Sequence, residues 1–163
     1  MNTAAPCPPV TDHSAAVTDH SAAVTRLVAY FQALTPDNVA EVGQFYAPQA
    51  RFKDPFKDVT GLADIQQIYG HMFVALDGPR FVVTRQVVQG EHCFLTWEFH
   101  FAFKSFKKKQ PQVILGASHL VFDPQGRVTL HRDYWDAAEE LYEKLPVVGS
   151  LMRWLKSRAN SLP

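Results

Sequence analysis

Apolar positions recur at helical intervals through the first half of the chain and at alternate positions through most of the second. Val24, Leu27, Val28, Phe31 and Leu34 fall on one helical face, predicting a first helix that stops at Thr35-Pro36-Asp37. Thr35 followed by Pro36 suits the N-cap and first position of a second helix. Val39, Val42, Phe45 and Tyr46 form its apolar face, and it ends near Pro48. ARFKDPF then reads as extended, closed at Asp54-Pro55 because the residue before proline avoids the helical region. After Gly61, the residues Leu62, Ile65, Ile68, Tyr69, Met72, Phe73 and Leu76 predict a third helix, broken at Asp77-Gly78-Pro79.

Beyond that break β-branched and aromatic residues dominate. FVVTRQVV, HCFLTWEFHFAFKSF, QVILGASHLVF and RVTLHRDYW predict strands, the last two joined by the turn Asp123-Pro124-Gln125-Gly126. After Trp135 the spacing turns helical again. Asp136 and Glu139 make an N-cap and N3 pair ahead of AAEELYEKL, and SLMRWLKSRAN reads as a short basic amphipathic helix. Helices grouped before an antiparallel run indicate an α+β layer fold. A strongly curved sheet wrapped on those helices encloses a cavity, the default ligand site.

A length of 163 residues suits one core. The expected organisation is a leader over residues 1–20, a folded domain over 21–136 and a helical extension over 137–163. The leader starts Pro-rich, which predicts disorder, and runs into an exact repeat, TDHSAAV at 11–17 and 18–24. Two copies are too few for a solenoid, so this reads as a local duplication, and its His13 and His20 read as no metal site.

Sixteen basic residues balance sixteen acidic ones, so no net field draws in nucleic acid. The basic tract from Lys104 to Lys109 reads as a solvated hairpin tip. Cys7 and Cys93 are too few for a disulfide framework or a zinc site and read as reduced thiols of a cytosolic protein. No apolar run approaches bilayer-spanning length, and the N-terminus lacks a secretory signal pattern; a cytoplasmic location is expected. The tail residues Leu151, Met152, Trp154 and Leu155, with Arg153, Lys156 and Arg158, read as cover for the protein's own core or a cavity mouth rather than as a membrane contact.

FYAPQARFKDPF, followed by Gly61 and the helix IQQIYGHM, resembles the ketosteroid isomerase and SnoaL-like branch of the nuclear transport factor 2-like superfamily. VFDPQGRVTLHRDYW is similar to the last hairpin of that branch. The resemblance implies a cone: a curved mixed or antiparallel sheet wrapped on three N-terminal helices, a cystatin-like α+β roll, here with a C-terminal helical tail. It specifies the fold better than the reaction, because such folds host many chemistries.

The resemblance also implies roles. Asp54, in FKDP, holds the place of the family's general base, and Tyr30, 24 residues earlier, that of its first-helix oxyanion donor. Ser118 stands where the family has a second, protonated Asp donor. A well-placed oxyanion donor is worth on the order of 3–4 kcal/mol, and a serine hydroxyl is a weaker acid with a shorter reach. Trp135 matches a pocket-lining Trp. Strand alternation then places His131 and Asp133 in the pocket with it, as a candidate second acid–base pair. For HCFLTWEFHFAF the alignment turns Thr96, Glu98 and His100 inward and Trp97, Phe99 and Phe101 outward to a dimer face; a one-residue slip reverses this. Phe56 and Tyr69 complete the expected ligand-binding set.

Two functions compete. One is a cofactor-free isomerase, cyclase or dehydratase acting on an apolar carbonyl compound, with Asp54, Tyr30, His131 and Asp133 as its acid–base groups. The other is a non-catalytic binder or carrier of a lipid-like or aromatic ligand, or a dimeric interaction module. A cavity sealed by its own side chains, with all polar groups paired, favours the binder. A solvent-reachable pocket with Asp54 and His131 facing each other favours the enzyme. Either way the expected partners are a small apolar molecule and a second copy of the chain, with no metal and no cofactor.

Overall fold

The first helix, α1 (Ser21–Gln32), buries Ala23, Val24, Leu27, Tyr30 and Phe31. The computed structural model to which it belongs describes residues 19–104 and 110–140, together with residues 150 and 158. Asp19 Oδ1 accepts the Ser21 N–H at 2.9 Å at the start of α1. His20, the last residue of the expected leader, is buried and stacks on Phe122 with ring centroids 5.5 Å apart.

The second expected helix is only a 3-10 segment, Val39–Gln44, and neither Thr35 nor Pro36 starts it. Asn38 takes over: its Oδ1 accepts the Thr35 N–H at 2.7 Å and its Nδ2 donates to Ala33 O at 2.9 Å. Such side-chain bonds to the backbone compete with helical ones. Tyr46, expected on that helix, instead opens β1 (Tyr46–Lys53). Pro48 is tolerated there because the β1 register shifts between Tyr46 and Arg51, and proline is accepted at such irregularities.

β2 (Asp58–Thr60) follows, then α2 (Leu62–Ala75), entered through Gly61 at φ 108°. Asp77-Gly78-Pro79 ends α2 as expected but lies inside the next strand, β3 (Leu76–Gln89). The register shifts between Asp77 and Arg80, and Gly78 has φ 57°, which marks a bulge. β4 (His92–Phe103), β5 (Pro111–Phe122), β6 (Val128–Tyr134) and a short α3 (Ala137–Glu140) complete the order. The six strands lie in the order β2-β1-β6-β5-β4-β3. Only β1 and β6 run parallel; the other neighbours are antiparallel. The curved sheet stays open, with α1 packed on β3 and α2 on β1, β2 and β3. This is the expected α+β architecture; of the expected helical tail the described residues hold the short α3.

The expected turn at 123–126 is held by Asp123, whose Oδ1 accepts the N–H groups of Gln125 and Arg127, with Gly126 at φ 75°. Asp136 caps α3 through the N–H groups of Ala138 and Glu139. Lys104 is not simply solvated: its Nζ donates to Phe73 O and Val74 O at 2.8 and 3.0 Å, serving carbonyls that the end of α2 leaves without helical partners. Cys93 is a buried free thiol, pushed up to about 11 by burial. The leader with Cys7 and His13, residues 105–109 and most of the expected extension lie outside the described residues. No described helix is long and apolar enough to cross a membrane.

The faces of β4 are the reverse of those expected. Cys93, Leu95, Trp97 and Phe101 are buried, whereas Phe94 and Thr96 are exposed. Pairing of Leu95 with Ser118 and of Trp97 with Gly116 puts the aromatic set on the helix side, where Phe81 bridges Trp97 and Phe31 of α1. Burying three aromatic rings outweighs sheltering Glu98 and His100. Those two therefore lie on the outer face, bonded to each other at 2.8 Å, and do not belong to the cavity. Trp97, Phe99 and Phe101 find their cover within the chain and need no dimer partner.

Candidate functional site

Alternation along β6 sends His131 and Asp133 to the helix side, opposite Leu120 and Ser118 of β5. There they join a continuous chain of hydrogen bonds. The Trp97 Nε1–H donates to Ser118 Oγ at 2.8 Å, and the Ser118 hydroxyl donates to Asp133 Oδ1 at 2.5 Å. His131 Nε2 is 2.8 Å from the same carboxylate oxygen. His131 Nδ1 lies 2.5 Å from the Tyr46 hydroxyl, which lies 3.1 Å from that of Tyr69.

Donor counting orients this chain. A carboxylate only accepts, so His131 Nε2 carries a proton toward Asp133. With Nδ1 unprotonated it accepts from Tyr46, whose oxygen accepts from Tyr69; with Nδ1 protonated both of these bonds run the other way. Each residue of the chain has at least one partner, and no fully buried polar side-chain atom among the described residues lacks one. Burial, first of all, holds the Tyr46 and Tyr69 phenols well above their ordinary range, and the charge of Asp133 adds to both. Both remain hydrogen-bond donors throughout neutral pH.

Phe31, Tyr69, Phe81, Trp97, Ser118, His131 and Asp133 line a cavity of about 20 Å³, on the order of one water-sized group. Gly116 makes its wall possible. A Cβ there would lie 2.3 Å from the Trp97 ring, so only glycine lets the indole lie across β5 and reach Ser118.

The other expected residues fall elsewhere. Asp54 Oδ1 accepts the N–H groups of Phe56 and Lys57 at 2.6 and 2.5 Å, closing the turn at Pro55. Burial raises its carboxyl, the two N–H bonds work against that, and Asp133 raises it further. Tyr30 stacks on Phe45 at 4.4 Å, its hydroxyl 3.4 Å from the carbonyls of Asn38 and Val39, and burial pushes it up to about 12. Neither Asp54 nor Tyr30 lines the cavity. Phe56 is half exposed and meets Trp135 edge-on at 5.4 Å. Tyr69, Ser118, His131 and Asp133 come together as expected neighbours of one space. Among the described residues no three His, Cys, Asp or Glu side chains cluster as metal ligands.

Two members of the site went unread in the sequence. Tyr46 was hidden by its helical spacing from Val39 and Val42; the usable signal is that Ala50 and Phe52 alternate, an extended pattern that reaches back past Pro48. Trp97 was hidden by the face reversal of β4.

The family model for the SnoaL-like domain matches residues 27–131. A hypothetical protein with a ketosteroid isomerase-like fold from Catenulispora acidiphila, solved with trimethylamine, has TM-score 0.63 at 17% identity over 74% of this chain and 90% of that one. An LEH-like epoxide hydrolase of M. tuberculosis has TM-score 0.61 at 14% identity over 84% and 91% of the two chains. An NTF2-like protein of unknown function from Burkholderia pseudomallei has TM-score 0.63 at 15% identity over 74% and 92%. No curated protein matches.

Proposed function

The chain belongs to the SnoaL-like domain family, and from that premise we propose that it is a cofactor-free acid–base catalyst, of the isomerase, cyclase or dehydratase kind, acting on a small apolar carbonyl compound. One observation carries the reading: the bonded pair of His131 and Asp133, 2.8 Å apart, shares an otherwise mostly apolar cavity with the Tyr69 hydroxyl. Asp133 Oδ1 is held by Ser118 and His131, and Oδ2 has no hydrogen-bond partner among the described residues. Oδ2 takes a proton from the carbon beside the carbonyl. The C–H electron pair moves into the enolate, whose oxygen receives the Tyr69 O–H as that proton turns from Tyr46 to the substrate. Returning the proton to another carbon completes an isomerisation. Asp133 and Tyr69 thus take the roles that the sequence resemblance gave to Asp54 and Tyr30. A substrate larger than the present cavity enters by displacing lining side chains.

The test is exchange of α-protons of a panel of small ketones in D2O, followed by NMR. Exchange that is lost in Asp133→Asn and kept in Asp54→Asn supports the reading; exchange that survives Asp133→Asn overturns it.

The small cavity and the polar chain, paired but for Asp133 Oδ2, favour a second reading, a binder that holds its ligand unchanged. Ligand retention with no exchange of any ketone identifies that case. In both readings the chain pairs with a second copy through the outer sheet face, where Val87, Phe94, Leu115 and Tyr134 are exposed.

A further inference from the structure

A second space lies on the helices and shares no lining residue with the cavity. It is an open groove of about 630 Å³ between the 3-10 segment and α2, with Val39 and Ala40 on one wall and Gln67, Gly70, Phe73 and Val74 on the other. Along α2 it extends from Ala63 to Val74, about 16 Å at the helical rise. α2 carries more apolar side chains than its packed face uses: it fully buries only Ile65 and Tyr69, and Val74 is 70% exposed.

The rim of the groove is acidic. Asp37, Glu41 and Asp64 are exposed, and each is next in sequence to a lining residue. Residues 27–50 and 58–79, which hold both walls, contain no Lys or Arg; Lys104 sits at the end of α2, on the Phe73 and Val74 carbonyls. The sequence itself carries the complement. From Lys144 to Pro163 it has Lys144, Arg153, Lys156 and Arg158 and no Asp or Glu, and Leu151, Met152, Trp154 and Leu155 recur among them at helical intervals. The chain leaves the sheet at Tyr134, heading toward the end where β5 starts, β4 stops and α2 passes into β3. Three strand spacings separate β6 from β3, about 14 Å. The chain from Glu140 to Leu151 can span up to about 36 Å.

We propose that residues 151–156 of this chain dock in the groove between the 3-10 segment and α2, their apolar side chains seated in it and Arg153 and Lys156 turned to the carboxylates of its rim. An amphipathic segment laid in an apolar groove is a recurring mode of recognition; here both sides belong to one chain. α2 also supplies Tyr69 to the cavity, so the docked tail braces the helix that positions that hydroxyl. The inference is independent of what the cavity binds.

Disulfide trapping in the full-length chain tests this, with Cys7→Ser as background and Cys93 left in place as a buried thiol. Gln67→Cys is combined with Met152→Cys, and Val87→Cys, exposed on the outer sheet face, is combined with Met152→Cys as the control. Mild oxidation and peptide mass mapping are expected to give the 67–152 bridge at least tenfold more than the 87–152 bridge. Mixing isotope-labelled and unlabelled chains shows whether the bridge lies within one chain. Equal trapping of the two pairs, trapping of neither, or a bridge between two chains overturns the proposal. Glu41→Lys with Asp64→Lys is expected to lower the 67–152 yield severalfold; an unchanged yield overturns the charge pairing. A check without added cysteines is Trp154→Ala, expected to shift the amide resonances of Ala40, Gly70 and Val74 in the full-length protein. Unmoved groove amides overturn the docking.

Discussion

The Tyr46 hydroxyl lies 2.5 Å from His131 Nδ1, across 85 residues of sequence, and this contact ties β1 to the far side of a ring whose Nε2 faces the Asp133 carboxylate. The carboxylate only accepts, so it fixes a proton on Nε2. In Tyr46→Phe both His131 Nδ1 and the Tyr69 hydroxyl lose a partner in a buried setting. A buried group left unsatisfied costs about 1–3 kcal/mol. Urea denaturation followed by circular dichroism is expected to show a loss of that size; an unchanged midpoint would mean that water replaces the phenol without cost.

Asp54 is expected to behave as a turn cap. Asp54→Asn keeps an oxygen for the Phe56 and Lys57 N–H groups and changes stability little, whereas Asp54→Ala loses both bonds and costs about 1–2 kcal/mol. Its pH dependence has a definite sign. Burial raises the folded-state pKa above the ordinary value of an aspartate, so the folded state binds the proton more tightly than the unfolded chain. Stability from this group therefore rises as pH falls from neutral through the raised folded value, and levels off below the unfolded one. The wild type is expected to gain on Asp54→Asn between pH 7 and pH 4 in paired denaturation curves. A constant gap between the two proteins would contradict a raised carboxyl.

Gly116→Ala tests the wall of the cavity. The new Cβ meets the buried Trp97 ring at 2.3 Å, and the ring is tied by its Nε1 to Ser118. Overpacking of this kind costs typically about 1–3 kcal/mol. Thermal denaturation is expected to show the loss, and Trp97→Phe in the same chain to recover part of it by removing the clashing ring atoms. No recovery would mean that the backbone of β5, not the indole, resists the methyl group.

The last hairpin was legible in the sequence because its signals were local. Asp123, Pro124 and Gly126 define the turn, and two-residue alternation then fixes His131 and Asp133 on one face. The third helix was legible for the same reason. β4 was not, since both of its faces carry large or polar residues in strict alternation, so its orientation depends on the register with β5 and on Gly116 receiving the Trp97 ring. The surroundings of Asp54 and Tyr46 were not legible for another reason. The motif around Asp54 keeps its residues while its carboxylate turns back onto the chain, and Tyr46 owes its place to a register shift at Pro48 that periodicity alone does not show.

With β4 reversed, the dimer proposed above would pair through the outer face of the sheet. With Trp97, Phe99 and Phe101 turned inward, the outer face presents Phe94 (51% exposed), Leu115 (57%), Val87 and Tyr134. Register pairs Val87 with Phe94, and it sets Leu115 opposite Glu98 and two residues from Ala117, the partner of Tyr134. Apolar surface spread over four adjacent strands is uncommon on a monomer. The same face carries Glu98 on β4 and Arg132 on β6, the latter over the Tyr134 ring at 4.8 Å, opposite charges that a two-fold related copy can pair at the rim. Light scattering at micromolar concentration is expected to give the mass of a dimer. Leu115→Glu sets a second carboxylate opposite Glu98 on this face and is expected to give a monomer with an unchanged circular dichroism spectrum. A monomeric wild type would leave this face to solvent, and a dimeric Leu115→Glu variant would put the contact on another surface.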